Sequence, residues 1–154
     1  MIALGAAYDI DAMPGLDEGG YEFYTEAGAF AQRERIESFN GGNAVIGVYS
    51  TPYKCPPAPS EAALLLHDAL VQRGAREQST ITLAIDFPRP IPPSPDASDA
   101  LLKAFAERGI DWRVQTGVEM VGVADVGQRR IGAVGHRAHE LVVARGVGVD
   151  RIIV

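Results

Sequence analysis

The fold is decided by residues 44–85, AVIGVYSTPYKCPPAPSEAALLLHDALVQRGAREQSTITLAI. The first six of these residues are apolar nearly throughout, which is typical of a strand covered on both faces in a parallel sheet. Residues 60–73 carry apolar side chains along one face and predict a helix that Ser60 caps. Residues 80–85 predict a second buried strand. The stretch therefore predicts one β-α-β unit.

The segment before this unit predicts a strand and a helix. Residues 2–7, IALGAA, have the small apolar side chains of a buried strand. Thr25 is predicted to cap a helix that runs to about Phe39, with Phe30 on its apolar side. Tyr24, just before that helix, is expected to pack against the protein rather than to line a ligand groove.

After the predicted β-α-β unit, the sequence predicts a proline-rich loop, a helix and a strand. Residues 87–95, FPRPIPPSP, predict a stiff surface loop because proline disfavours both a helix interior and a central strand. Asp96 or Ser98 is predicted to cap the next helix, which Gly109 ends. Residues 110–114 predict a third strand, so the order becomes β-α-β-α-β.

The last forty residues predict a smaller addition to the sheet. Residues 117–126 alternate as an antiparallel strand would, and residues 129–134 are expected to pair with them. Residues 136–145 suit a short helix, and residues 147–154 predict a final strand. The predicted fold class is α/β: a three-layer, Rossmann-like parallel sheet with helices on both faces and a small antiparallel β addition, in one domain over residues 1–154.

Composition and charge exclude several classes of partner. The chain has 154 residues, with 14 Lys plus Arg against 20 Asp plus Glu, a net charge of −6. No continuous cationic stripe interrupts this negative balance, so neither nucleic acid nor a membrane surface is the expected partner. The longest aliphatic stretch, Ala62 to Leu66, is far shorter than the roughly 20 residues of a spanning helix. With no basic stretch at its start, the chain is expected to be cytoplasmic.

The loop between the strand at 44–49 and the following helix is the candidate site. Ligands of open α/β sheets bind beyond the carboxyl ends of the strands. A dinucleotide would need glycines here to bring the backbone close to its pyrophosphate, and the loop carries Tyr53, Lys54, Cys55 and prolines instead. Nucleotide binding at this loop is therefore disfavoured. Asp86, after the next strand, is expected to be a solvated strand-end acid.

Cys55 is the chain's single cysteine, which excludes an internal disulfide and fits a reducing compartment. Two hypotheses for it stand side by side. The neighbouring Lys54 and the coming helix N-terminus both favour a thiolate, which would make Cys55 reactive. Alternatively, Cys55 is a small apolar side chain that fills the core.

Three potential metal ligands occur close together near the C-terminus. His136, His139 and Glu140 stand at i, i+3 and i+4, so a helix would gather them on one side. Three adjacent ligands without a distant fourth are a weak metal signal, so a solvated helix face, and no metal site, is predicted. His67 is expected to pack at the edge of the core.

Around Cys55 the chain resembles a known family. The segment TPYKCPPAPSEAALLLHDAL, residues 51–70, is similar to the central segment of sulfide:quinone oxidoreductases and flavocytochrome c sulfide dehydrogenases, with Cys-Pro-Pro-x-Pro-x-Glu as its most specific part. Further pieces follow in family order, and together they extend the resemblance over residues 1–115: ALGAAYD and PGLDE before the segment, STITLAI and LLKAFAERGIDWR after it. Residues 116–154 form a divergent tail.

The resemblance implies a flavin-linked role for two residues. In that family the cysteine of this loop takes up sulfide sulfur beside FAD, and a glutamate matched by Glu61 lies towards the flavin. Cys55 and Glu61 are therefore the implied catalytic residues. The family's GxGxxG fingerprint for FAD is absent from the sequence, and so is a second cysteine.

The absence of the FAD fingerprint and of a second cysteine determines the expected function. The chain is expected to be a truncated FAD/NAD(P)-binding-type domain that lacks independent catalysis, with a thiol redox role for Cys55. No cofactor is expected in isolation, although the family uses FAD. Loss of a flavin domain would expose an apolar surface, so a homo-oligomer is expected. The alternative is a non-catalytic module that binds a protein partner or itself.

Overall fold

The computed structural model describes residues 7–8, 20–48, 53–114 and 151–153. In chain order its elements are strand β1 (Gly20–Tyr21), helix α1 (Glu26–Ser38), strand β2 (Gly42–Gly47), helix α2 (Ala58–Gln72), a 3-10 turn (Arg76–Gln78), strand β3 (Ser79–Ile85), helix α3 (Pro95–Arg108), strand β4 (Ile110–Val114) and strand β5 (Arg151–Ile153). None of the helices in these ranges is long and apolar enough to cross a bilayer.

The described strands form one parallel sheet in the order β1-β5-β2-β3-β4. Ala44 of β2 stands opposite Ile81 of β3, and Ile81 stands opposite Ile110 of β4. The predicted β-α-β-α-β order and the predicted final strand are confirmed, and that final strand lies between β1 and β2. The α/β, Rossmann-like class of the sequence analysis is therefore confirmed.

The core lies where β2 and β3 face helices α2 and α3. Successive residues are buried at the carboxyl ends of β2 (46–47) and β3 (83–85), as is typical of strands covered on both faces. The largest fully buried apolar side chains are contributed by the sheet and by both helices: Ile46, Leu70, Ile81, Leu83, Ile85 and Phe105. The predicted strand over 2–7, the antiparallel pair over 117–134 and the helix over 136–145 fall outside the described residues, apart from Ala7.

Helix α1 begins as predicted, and Phe39 after its last residue is buried as predicted, but Phe30 is not. Thr25 is its N-cap, and the Thr25 hydroxyl accepts a hydrogen bond from the Gly28 amide at 2.9 Å. Phe30, predicted on the apolar side, is 59% exposed, whereas Gln32 is buried. The Gln32 amide nitrogen donates to the Tyr21 carbonyl at 3.1 Å, which gives this buried side chain a partner in β1.

The predicted cap of α2 is wrong. The helix begins at Ala58, two residues before Ser60, and Pro57 occupies the N-cap position. Proline is tolerated in a first turn because the amides there have no helical partner. Ser60 is therefore inside the helix, where it is buried and its hydroxyl has no hydrogen-bond partner among the described residues.

The predicted cap of α3 is also wrong, and Ser98 has another role. The helix begins at Pro95, with Ser94 at the N-cap position, rather than after Asp96. The buried Ser98 hydroxyl accepts a hydrogen bond from the Ile91 amide at 3.0 Å and donates to the Ile91 carbonyl at 2.8 Å. Ser98 thus fastens the proline-rich loop to α3, and Gly109 ends the helix in the left-handed conformation as predicted.

At the start of α1, the Glu22 carboxylate makes a contribution to stability that depends on pH. The Glu22 carboxylate accepts hydrogen bonds from the Tyr24 amide at 2.6 Å and the Thr25 amide at 2.9 Å. Burial alone would raise the pKa of Glu22, but the hydrogen bonds from Thr25 and Tyr24 outweigh it and hold the pKa below its ordinary value of 4.5. The stabilisation is present above that ordinary value and is lost as the pH falls through the lower folded value.

We therefore expect Glu22→Gln to cost up to about 1 kcal/mol of unfolding free energy at pH 7, the size of a lost helix cap. The cost should shrink as the pH is lowered, because the wild-type carboxylate then becomes protonated. Urea unfolding of both proteins at pH 7 and pH 3 measures this difference. A cost that stays constant over this range would contradict the role given to the carboxylate.

Candidate functional site

The loop after β2 stands at the point where the sheet topology divides. The chain leaves β2 towards β3 on one side, and β5 pairs with β2 on the other. Open α/β sheets bind their ligands in the crevice beyond the carboxyl ends of strands at such a point. The described part of this loop runs from Tyr53 to Pro57, and α2 follows directly.

Cys55 is exposed in this loop, and its backbone is in the left-handed region with φ 57°. Within the described ranges it is the only residue other than glycine with a positive φ. The exposure contradicts the alternative that Cys55 fills the core. A left-handed conformation costs a non-glycine residue about 1–2 kcal/mol, so neighbouring contacts must hold it.

Three hydrogen bonds hold this backbone, one on each carbonyl around Cys55. The Tyr24 hydroxyl donates to the Lys54 carbonyl at 2.6 Å, and the Tyr53 hydroxyl donates to the Pro56 carbonyl at 3.2 Å. The Ala58 amide donates to the Cys55 carbonyl at 2.9 Å. The backbone of Cys55 is thus fastened on both sides. Tyr24 has this role although the sequence predicts only packing for it.

Both tyrosines remain protonated donors near neutral pH. Burial raises the pKa of Tyr53 to about 12, with further contributions from Tyr24 and Cys55. Burial also raises the pKa of Tyr24, and the charges of Cys55 and Tyr8 add to the effect. The two phenols therefore keep donating to the Lys54 and Pro56 carbonyls at neutral pH.

The Lys54 ammonium lies against aromatic rings. Its nitrogen is 4.7 Å from the centroid of the Tyr8 ring and 5.8 Å from that of Tyr24, and it donates a hydrogen bond to the Tyr8 hydroxyl. Cation–π contacts of this kind are worth about 0.5–1 kcal/mol at an exposed site. Lys54 therefore ties the loop to Tyr8 and Tyr24 through its side chain as well as its carbonyl.

The other candidate residues lie around this loop. Glu61 is exposed in the first turn of α2, and no hydrogen bond joins it to Cys55 in the described part of the chain. Asp86 is exposed directly after β3, as predicted. The ring of Phe87 stacks on that of Tyr53, with 5.5 Å between their centroids.

Nothing in the described ranges groups three or more His, Cys, Asp or Glu side chains as a metal site would. His67 is partly buried, and its Nδ1 is 2.9 Å from Oδ1 of Asp68. The potential ligands His136, His139 and Glu140 lie outside the described residues.

The loop does not fit the pyrophosphate of FAD or NAD(P). Such a group needs a backbone that approaches closely, which glycines permit. The described part of the loop has no glycine, and Cys55, Pro56 and Pro57 stand immediately before α2. The chain has no GxGxxG sequence.

The comparisons with known proteins bear on the fold. The chain matches no protein-family model, and no curated protein is significantly similar to it. Solved structures do match. Sulfide:quinone oxidoreductase from the hyperthermophilic bacterium Aquifex aeolicus is 23% identical, with a TM-score of 0.61 over 72% of this chain and 27% of that chain. A water-forming NADH oxidase from Lactobacillus brevis, bound to NADH, is 17% identical, with a TM-score of 0.53 over 92% and 26%.

A third match is a HOCl-induced flavoprotein disulfide reductase from Escherichia coli, which is 16% identical with a TM-score of 0.59 over 97% of this chain and 28% of that chain. The chain spans about a quarter of the length of these three proteins. The same fold serves an NADH oxidase and a disulfide reductase, so it does not single out sulfide chemistry. The chain thus has the Rossmann-like α/β fold of a segment of these oxidoreductases.

Proposed function

We propose that this chain is the nucleotide-binding-type domain of an oxidoreductase similar to the sulfide-oxidising flavoproteins, with Cys55 as its redox residue. We further propose that residues 1–154 form one domain in the cytoplasm. This domain does not catalyse a reaction by itself. The observation that carries the proposal is the placement of Cys55, exposed at the division of the sheet on a left-handed backbone fastened by hydrogen bonds. Such backbone outliers concentrate at functional sites.

The proposed chemistry is thiol–disulfide exchange. The Cys55 thiolate attacks one sulfur of a disulfide or polysulfide, a new S–S bond forms, and the old S–S bond breaks. The leaving sulfur departs with the electron pair as a thiolate or hydrosulfide. Glu61, exposed in the first turn of α2, is the proposed acceptor of the thiol proton through solvent. Since the chain has one cysteine, a second thiol must come from a substrate or partner to release the product.

Sulfur uptake is tested by incubating the protein with polysulfide and locating added sulfur by mass spectrometry. We expect added sulfur on Cys55 in the wild type and complete loss in Cys55→Ser. We expect Glu61→Gln to retain the modification but to form it about two- to tenfold more slowly, which is below the usual range of general-base effects because the proton passes through solvent. Wild-type protein that stays unmodified while a cysteine peptide reacts would contradict the proposal.

Flavin binding is a separate prediction. Because the loop after β2 does not fit a pyrophosphate, we expect the purified protein to be colourless after incubation with FAD and desalting. The visible absorption spectrum measures this directly. Retained flavin absorption at one equivalent per chain would contradict the expected absence of a cofactor in the isolated domain.

The second proposal is that the chain associates with itself. Self-association would also be the role of the chain if it is a non-catalytic module. Phe30 on α1 is 59% exposed and Leu65 on α2 is 62% exposed, and we propose that a second copy of the chain covers them. We expect a dimer or larger assembly in light scattering, and about tenfold weaker association for Phe30→Glu with Leu65→Glu. Lys103→Glu, on the exposed surface of α3, is the control. A monomer at high concentration would contradict self-association.

A further inference from the structure

We propose that the stacked rings of Tyr53 and Phe87 occupy the adenosine position of this fold and exclude adenine nucleotides from the crevice. The inference rests on the sheet topology and on these contacts, and it is independent of the chemistry assigned to Cys55.

The position of the pair follows from the register of the sheet. Gly47 of β2 stands opposite Ala84 of the parallel strand β3, so the two strands end side by side. In dinucleotide folds of this topology, the nucleotide extends from the turn after the first strand to an acidic residue that holds the ribose hydroxyls after the next strand. Here Tyr53 belongs to the first of these loops, and Asp86 and Phe87 begin the second.

The geometry of the pair leaves no slot for a base. The ring centroids are 5.5 Å apart with an interplanar angle of 27°, so the rings are in direct contact and a third ring does not fit between them. Both side chains are half-buried and pack against the hydrophobic core. The Tyr53 hydroxyl donates to the Pro56 carbonyl at 3.2 Å, which fixes the ring in place. The pair thus bridges the two loops between which adenosine would lie.

Because the two rings exclude adenosine, the Asp86 carboxylate has no ribose hydroxyl to bind. Asp86 is exposed and directly precedes Phe87 after β3, the position in the chain at which dinucleotide folds hold a ribose hydroxyl. Removal of the two rings would open the crevice next to this carboxylate. The glycine-free loop still disfavours a pyrophosphate, so the suitable probe is adenosine, which has a base and a ribose but no phosphate.

Binding of adenosine is measured by titration calorimetry and by NMR saturation transfer. We expect no saturable binding to the wild type at millimolar adenosine. We expect saturable binding, at least about tenfold tighter, for Tyr53→Ala with Phe87→Ala. Adding Asp86→Asn should weaken that binding about tenfold, the effect of roughly 1.4 kcal/mol. Phe30→Ala, which removes an exposed aromatic ring on α1, is the control and should bind none.

Three results would overturn the inference. One is saturable binding of adenosine to the wild type, and another is a folded double variant that binds none. The third is binding that Asp86→Asn leaves unchanged, since a nonspecific cavity would then be the site. Circular dichroism checks that each variant is folded. If the double variant does not fold, Phe87→Ala alone leaves room for a base to stack on Tyr53 in place of the Phe87 ring, and the same results are expected and the same results overturn the inference.

Discussion

Replacing Phe105 with alanine is expected to lower the free energy of unfolding by about 3–5 kcal/mol, the usual cost of removing a buried phenyl ring. Phe105 is 1% exposed and belongs to the core between α3 and the sheet. Its ring stacks on Trp112 of β4, with 6.1 Å between the centroids. Alanine would therefore leave a cavity and would lose the contacts of Phe105 with the core and with Trp112 on the edge strand β4.

Trp112 provides the measurement, because it is the chain's single tryptophan. Urea unfolding followed by its fluorescence gives the free energy, and the native emission should shift as the Phe105 ring is removed. Lys103→Ala, at an exposed position of the same helix, should change the free energy by under about 0.5 kcal/mol. A loss below about 1 kcal/mol for Phe105→Ala would contradict the packing of α3 on β4.

The second large effect is expected for Gly28→Ala in the first turn of α1. A Cβ at this position would collide with a carboxylate oxygen of Glu22 and with the Glu22 backbone oxygen. The side chain can turn away, but the backbone oxygen moves only with the chain. We expect a loss of about 2–4 kcal/mol, which combines overpacking with a weakened helix cap.

This variant also has a specific pH signature. Because the added methyl group would displace the Glu22 carboxylate, the stabilisation that Glu22 contributes above its pKa should disappear together with the cap. Urea unfolding of Gly28→Ala at pH 7 and pH 3 should then show a smaller pH effect than the wild type. The control is Ala29→Ser, an exposed position of the same helix. Equal stability of Gly28→Ala and the wild type would contradict the described start of α1.

Local sequence signals predict most of the described fold. The apolar strands predicted at 44–49 and 80–85 are found at Gly42–Gly47 and Ser79–Ile85, and the cap at Thr25 and the stop at Gly109 are confirmed; each depends on a few neighbouring residues. The sequence does not predict strand β1, because it has two residues and is held by pairing with β5 at the far end of the chain. Because the paired residues are so far apart in the chain, the local sequence does not indicate their pairing.

The exact helix starts and the buried face of α1 depend on tertiary contacts. Ser60 has the side chain of a cap, but the prolines at 57 and 59 allow the helix to begin earlier. The apolar character of Phe30 predicts that it lies inside. Gln32 lies inside instead, and its amide nitrogen donates to the Tyr21 carbonyl of a strand that the sequence does not reveal.

The sequence predicts the candidate site in part. The place of Cys55 beyond a strand end follows from the β-α-β pattern, and so does that of Asp86. The two tyrosines that fasten the Cys55 loop show the limit of sequence reasoning. Tyr53 is close in the chain, whereas Tyr24 is thirty residues before Lys54, whose carbonyl it binds. The left-handed backbone of Cys55 has no sequence signal, since glycine is the usual residue there.

The redox role proposed for Cys55 is tested by the rate at which Cys55 exchanges with a small disulfide near pH 7. The same chain unfolded in urea is the matched control, because it has the same cysteine without the fold. The sulfur is exposed, and hydrogen bonds to the carbonyls of residues 54, 55 and 56 hold its backbone in one conformation. We therefore expect the native protein to react faster than the unfolded chain, because the held side chain meets the incoming disulfide without first being ordered. A native rate equal to or below the unfolded rate would contradict the assignment of Cys55 as the redox residue.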